Sequence, residues 1–430
     1  MNRLLLILRK KLGDKEIKTV VKNFLSLSTF NVLKFIFPLI LIPYLTSNLG
    51  LRHYGQYVLS FSIFQYGLLL VNFGFDYSAT KLISLNRDNK TKIAQIVTNV
   101  TVARLLFAII SSSAIYLVIS LMPTLTDNNL LYIYGFGILL GQAITPLWLF
   151  QGIEKMGYIT IINLITRIIS TLLIFIFIHK PSDFYLVNLF QSIGYLSSGI
   201  ASVILIVKHL KLKIVKPTLR NISFYIADSW QIFLSTLSMS FYREANVIIL
   251  GITTNYEIVG QYAAIEKIIK AIQSFMDPLS KALFPFFGRK LNEPNESNSS
   301  YVKFGKIFTL ILVIILSLLY LFGPKLLIWY LGKSFESAIV LFQIMIPVVL
   351  FGGLNYYFGI IGLINLGLNK YFTKAVFITG ILSVTLCYLL SSSIGAAGAA
   401  ITMSISELIL LSLIFRKISP WIKKKTRIEV

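Results

Sequence analysis

The sequence predicts an all-α integral membrane protein: twelve transmembrane helices in two six-helix bundles arranged as parallel repeats, with both termini cytoplasmic. Three observations lead there. The 430 residues are 56% hydrophobic and only 13% charged, with a mean hydropathy of +0.78, whereas soluble domains are about a quarter charged. Apolar runs of about 20 residues, the length that crosses a bilayer as helix, recur along the whole chain. They are too long and too uniform for barrel strands, which alternate over about 10 residues. Finally, the basic residues fall in every second connection.

In chain order, residues 1–23 form a basic N-terminal segment. Its apolar core, Leu4 to Leu8, is too short for a signal peptide, so it is expected in the cytoplasm, lying on the membrane as an amphipathic helix. The first bundle, 24–207, is expected to hold spans at 24–48, 55–77, 93–121, 129–150, 157–178 and 184–207. A basic linker, 208–221, carries Lys208, Lys211, Lys213, Lys216 and Arg220. The second bundle, 222–415, is expected to hold spans at 224–250, 257–284, 303–323, 336–363, 371–391 and 395–415. Residues 416–430 are a basic tail. The longest polar connection, about 288–300, includes Asn292-Glu293-Pro294-Asn295-Glu296-Ser297 and reads as a flexible cytoplasmic linker.

The connections orient the chain. The N-terminus, every second loop after it and the C-terminus together hold 29 of the 40 Lys and Arg residues. The opposite loops hold only Arg52, Lys180, Lys325 and Lys333. That asymmetry puts both termini in the cytoplasm by the positive-inside rule. It also explains the net charge of +23 without nucleic acid.

An internal repeat supports two halves. Gly55-Gln56-Tyr57 opens the second span and Gly260-Gln261-Tyr262 opens the eighth. Gly152-Ile153-Glu154-Lys155 follows the fourth span and Gly367-Leu368-Asn369-Lys370 follows the tenth. An even number of spans per half makes the repeats parallel, with a path between them and a rocking form of alternating access.

The remaining basic residues lie within or at the edges of spans: Lys34, Arg104, Arg167, Arg243, Lys267, Lys270 and, near a helix end, Lys306. A basic side chain at the bilayer centre costs about 2.5–3.5 kcal/mol on insertion scales, so it survives beside an opposite charge or a wet cavity. The seventh span carries Asp228, Gln231, Ser235, Ser238 and Tyr242 on one face, followed by Arg243 and Glu244. The eighth carries Tyr262, Glu266, Lys270, Gln273 and Asp277 on one face, with Lys267 beside it. Two readings compete for each charge. Glu266 and Lys270, at i and i+4, suit an internal ion pair, and Arg243 and Glu244 suit snorkelling to the interface. Lys34, Arg104 and Arg167 have no acid within a turn of their own helix and suit a cavity for an anion. Glu244, Glu266, Asp277 and Asp228 are candidates for ion coupling or charge pairing. Asp76 reads as a helix-end residue and Glu407 as a contact with a neighbouring helix. Prolines 38, 43, 146, 278, 285 and 347 mark kinks, static or used in gating.

No Walker A loop, HExxH, GxSxG or Cys/His cluster occurs. The single cysteine, Cys387, permits no internal disulfide. Neither an enzyme nor a cofactor is expected, and uphill work would need an ion gradient or the membrane potential.

Four stretches resemble the Wzx-type lipid-linked oligosaccharide flippases of the multidrug/oligosaccharidyl-lipid/polysaccharide exporter superfamily. They are Pro146-Leu147-Trp148-Leu149-Phe150-Gln151-Gly152-Ile153-Glu154-Lys155; Gly260-Gln261-Tyr262-Ala263-Ala264-Ile265-Glu266-Lys267 with Pro285; Leu49-Gly50 with Tyr54-Gly55-Gln56-Tyr57; and Gly395 to Ala400. The resemblance implies a V-shaped bundle with a cationic vestibule in the bacterial cytoplasmic membrane. It also implies flipping of undecaprenyl-diphosphate-linked oligosaccharide units for O-antigen or capsule, among membrane lipids and alongside a polysaccharide polymerase and export machinery. A teichoic-acid or other cell-wall precursor flippase, and an ion-coupled drug or metabolite antiporter, are the alternatives within that superfamily.

Overall fold

A computed structural model describes residues 14–121, 128–213, 215–292 and 299–426, with side chains described from residue 36 onward apart from short gaps. The described residues are helical, without strands. The helices are α1 (Asp14–Asn72), α2 (Phe75–Leu85), α3 (Lys90–Leu121), α4 (Asn129–Ala143), α5 (Leu147–Gly152), α6 (Met156–Phe177), α7 (Leu186–Lys208), α8 (Leu219–Thr253), α9 (Tyr256–Ser274), α10 (Met276–Asn292), α11 (Ser299–Leu331), α12 (Ile339–Met345), α13 (Pro347–Asn355), α14 (Asn369–Ile394) and α15 (Ala396–Thr426). A π-helical stretch, Tyr356–Ile364, continues α13.

Among the described residues, nine helical stretches are long and apolar enough to cross a membrane. The expected seventh and eighth spans, in α8 and α9–α10, are not among them; residues 238–239 and 241–243 of α8 and 278 and 281–282 of α10 lie outside the described side chains. Several expected spans are broken. α1 bends sharply at Gly50 (φ 73°, ψ 165°), a backbone that favours glycine and separates the first two expected spans. The second span breaks again at Phe73-Gly74, the fourth at Ile144-Thr145-Pro146 and the eighth at Phe275. Pro146 has no N–H to continue a helix, and Pro347 starts α13.

The chain forms two compact units. One joins the chain up to Phe37 with Ser60–Thr236; the other joins Pro38–Leu59 with Leu237–Val430. In the first unit α4 and α7 touch backbone to backbone. A Cβ on Gly141 would lie 2.5 Å from the Leu196 amide nitrogen, so only glycine permits this approach. Buried Asn188 ties the pair together, donating to Ser60 Oγ and to the Leu131 carbonyl, both at 2.9 Å. In the second unit the core is aromatic: Phe287, Tyr301, Phe304, Phe308 and Tyr357 stack or meet edge to face.

The repeated motifs have definite roles. Gly55 and Gly260, the first residues of the two Gly-Gln-Tyr copies, pack against each other within the second unit. A Cβ on Gly55 would clash with the Tyr256 carbonyl and lie 2.9 Å from Gly260 N; one on Gly260 would clash with the Leu51 carbonyl. The other repeat is a helix-ending turn. Lys155 N donates to Phe150 O at 2.8 Å and Glu154 N to Gln151 O at 3.0 Å; Leu368 N donates to Leu363 O at 2.9 Å and Gly367 N to Ile364 O at 3.0 Å. Both are Schellman caps whose left-handed residue is Glu154 (φ 57°) in one and Gly367 (φ 75°) in the other. The geometric equivalence is therefore Glu154 with Gly367, two residues away from the letter match of Gly152 with Gly367.

Candidate functional site

In the first unit, the helix breaks before Pro146, and the Thr145 carbonyl accepts from Leu147 N at 3.2 Å instead of from a residue one turn on. Arg104 of α3 supplies a second donor. Its Nη1 donates to Thr145 O at 2.8 Å and its Nη2 to Asn72 Oδ1 at 2.8 Å, while Gln142 Nε2 donates to the same Asn72 oxygen at 2.9 Å. Arg104 is only 1% exposed, and its Nε, like Asp76 Oδ1 of α2, is buried without a hydrogen-bond partner. Bonds from a charged donor to a buried acceptor are the stronger kind. Arg104 thus joins α1, α3 and the α4–α5 break as an internal clamp.

Arg167 of α6 is placed differently. It is half-buried beside a small polar cavity, lined among others by Gln142, Asn163, Thr166, Gln191, Tyr195 and Ser198. Its Nη2 donates to Tyr195 Oη at 3.3 Å, and the guanidinium lies 5.5 Å from the centre of that ring. Among the described residues it forms no ion pair. The cavity wall is neutral and rich in hydroxyls and amides. Asn163, four residues earlier on α6, accepts from Ser198 Oγ at 3.3 Å through its Oδ1. A guanidinium in a neutral polar cavity can take an anion in bidentate fashion.

In the second unit, α8 and α9 bring their charges together. Lys270 Nζ lies 3.3 Å from Glu244 Oε2 and 3.4 Å from Glu266 Oε1, so the i,i+4 pair expected on α9 is formed and Glu244 joins it. The Glu266 side chain is 5% exposed. Tyr262 Oη donates to it at 3.4 Å and accepts from Asn246 Nδ2 at 3.0 Å. Lys267 lies over the rings of Tyr54 and Tyr57, 5.8 Å from each centre, a cation–π arrangement. Further along the stripe, Gln273 Nε2 donates to Glu407 Oε1 at 3.1 Å.

Of the other expected residues, Asp228 is exposed and Asp277 half-buried. The side chains of Lys34 and Arg243 lie outside the described residues. Lys306 is exposed. Among the described residues, no group of three or more His, Cys, Asp and Glu is arranged to hold a metal ion.

The Trp148–Glu154 motif is an inter-helix lock. Trp148 is fully buried. Thr80 Oγ1 of α2 lies 3.2 Å from both the Trp148 carbonyl and Gln151 Oε1. A Cβ on Gly152 would press on Ile83 and Thr80. Arg87 pairs with Glu154 at 3.0 Å and donates to the Ile153 carbonyl at 3.4 Å.

Asn72, Gln142 and Thr145 around Arg104, and Tyr195 beside Arg167, escaped the sequence reading. One signal was available: a proline that breaks a spanning helix exposes a carbonyl, and in hydrocarbon a donor must meet it.

Long apolar helices with polar side chains buried among them define a multi-span helical membrane protein. Residues 20–291 match the family described as "Polysaccharide biosynthesis protein", and the chain belongs to that family. It is 27% identical over 395 residues to the Escherichia coli (strain K12) protein called "Putative O-antigen transporter", covering 91% of this chain and 95% of that one. A Shigella dysenteriae protein of the same name is 28% identical over 74% of this chain and 79% of its own length. Among solved structures, the fold is similar to the lipid II flippase MurJ in an inward closed conformation (TM-score 0.71, 12% identity, 94% of this chain and 87% of that one). It is also similar to an inward-facing MATE multidrug transporter (TM-score 0.69, 13% identity, 93% and 99%).

Proposed function

We propose that the protein flips undecaprenyl-diphosphate-linked oligosaccharide repeat units across the cytoplasmic membrane for O-antigen or capsule synthesis, by alternating access. Membership of the polysaccharide biosynthesis family, the names of the two relatives and the likeness of fold to a lipid-linked precursor flippase support this reading. In it, twelve spans form two six-helix bundles, 24–207 and 222–415, and the 29-to-4 bias of basic residues between alternate connections keeps both termini in the cytoplasm.

The observation that carries the substrate class is Arg167: a guanidinium at a neutral polar cavity, paired with a phenol and no carboxylate among the described residues. It engages the diphosphate or an acidic sugar. Lys267 and Lys270 supply further positive charge, with Glu244 and Glu266 holding Lys270 when no substrate is bound. Lys34 and Arg243 extend the cationic set on sequence grounds, and Asp228 and Asp277 remain candidates for ion coupling. Arg104 has both terminal guanidinium nitrogens committed to acceptors within the protein and takes the lesser part in binding. The test is complementation of a deletion strain with Arg167→Ala at matched protein level. Loss of surface polysaccharide is expected; full restoration would remove Arg167 from the site.

A further inference from the structure

Glu407 lies in α15 and is 6% exposed. Its carboxyl is met only by amides. Asn355 Nδ2 donates to Oε2 at 2.6 Å and to the Glu407 backbone carbonyl at 2.9 Å, and Gln273 Nε2 donates to Oε1 at 3.1 Å. No Lys, Arg or His among the described residues pairs with it. The Asn355 side chain is itself 6% exposed, and its Oδ1 is buried with no hydrogen-bond partner. A carboxyl and an unsatisfied amide oxygen therefore share one buried place within the second unit. Asn355 is also the last residue before the π-helical stretch, an irregularity common at functional sites. Gly352, one turn earlier, leaves the room that the Gln273 amide occupies.

Two neutral amides satisfy hydrogen bonds but bring no charge. An ionised carboxyl buried inside a membrane protein costs several kcal/mol unless a cation meets it. The elements packed against α15 hold few candidates. α9 carries Tyr256, Glu257, Tyr262, Glu266, Lys267 and Lys270, α14 carries Lys370, Tyr371, Lys374, Cys387 and Tyr388, with both lysines exposed, and the π stretch carries Tyr356 and Tyr357; α12 and α13 carry no ionisable group. Lys270 is engaged by Glu244 and Glu266.

We propose that Glu407, Asn355 and Gln273 form a binding site for a small monovalent cation, a proton or sodium. The chemistry is shared: a proton sits on a Glu407 oxygen and is accepted by an amide oxygen after an amide flip, or sodium is held between the carboxylate and Asn355 Oδ1. Release of the cation leaves a bare carboxylate that must be compensated by rearrangement of α9 and α13 against α15. The further role of this site as the coupling site rests on the flippase reading above; the site itself does not.

The test is infrared difference spectroscopy of the full chain in lipid nanodiscs, titrated with pH in choline chloride and then with sodium chloride at equal ionic strength. The expected result is one protonated-carboxyl band that is lost in Glu407→Gln. A band lost on raising pH, with no response to sodium, assigns the proton; a band lost on adding sodium at constant pH assigns sodium. Should Glu407→Gln not fold, Glu407→Asp must shift the same band. Spectra of wild type and Glu407→Gln that are identical under every condition would overturn the proposal and leave the amides as a purely structural tie. Failure of the flippase reading looks different: the band persists while the wild-type chain does not restore surface polysaccharide.

Discussion

Arg104→Ala is expected to destabilise the protein without acting first on substrate. The substitution removes two hydrogen bonds of 2.8 Å, to Thr145 O and Asn72 Oδ1, from a residue that is 1% exposed. Bonds to charged groups contribute about 1.5–3 kcal/mol each in soluble proteins. In membrane proteins, polar side-chain contacts average nearer 0.6 kcal/mol with a maximum of about 1.7, because the unfolded chain also finds partners. Two bonds at about 1.5 kcal/mol, the low end of the charged range, give a loss of about 3 kcal/mol. Arg104→Lys keeps the charge but not the fork that reaches two acceptors, and should recover less than half. The assay is reversible unfolding of the purified chain in mixed micelles, with Arg167→Ala as control. Arg167 makes one 3.3 Å bond to a phenol at a cavity wall, so its variant should fall within about 0.5 kcal/mol of wild type. An Arg104→Ala protein as stable as wild type, or an Arg167→Ala protein equally destabilised, would refute the division between clamp and binding residue.

Three further outcomes are expected. Lys270→Met should cost more than the double variant Lys270→Met/Glu266→Gln, because it strands a carboxylate that is 5% exposed; a thermodynamic cycle should show coupling of about 1–3 kcal/mol, and additivity would contradict it. Gly260→Ala should lower the melting temperature through the forced separation from Leu51 and Gly55, an overpacking cost of about 1–3 kcal/mol; an unchanged melting temperature would place that contact elsewhere. Glu154→Ala should change stability by less than about 1 kcal/mol despite its 3.0 Å pair with Arg87, since both side chains are about half exposed.

Much of this was legible in the sequence because one dimension carries it. Helices follow from apolar length, and the break at Gly50 falls between the first two expected spans. The Glu266–Lys270 pair follows from i,i+4 spacing, which needs only one helix. The Gly-Gln-Tyr repeats were visible as letters, though their contact with each other was not. What stayed hidden depends on which helices meet. Arg104 was judged by the absence of acids on its own helix, yet its partners are the Thr145 carbonyl at the α4–α5 break and the Asn72 amide oxygen of α1. Glu407 read as a helix contact, and nothing on α15 announces Asn355 or Gln273. The cap at Glu154 was misaligned by two residues, because αL geometry in one copy falls on glutamate and in the other on glycine.

The most direct measurement is surface polysaccharide in a strain deleted for this chain, complemented with wild type, Arg167→Ala and Arg167→Lys at equal protein levels. Restoration by wild type, loss with Arg167→Ala and partial recovery with Arg167→Lys are predicted. Failure of the wild-type chain to restore the polysaccharide, or full restoration by Arg167→Ala, would contradict a flippase that grips its substrate by the anionic group.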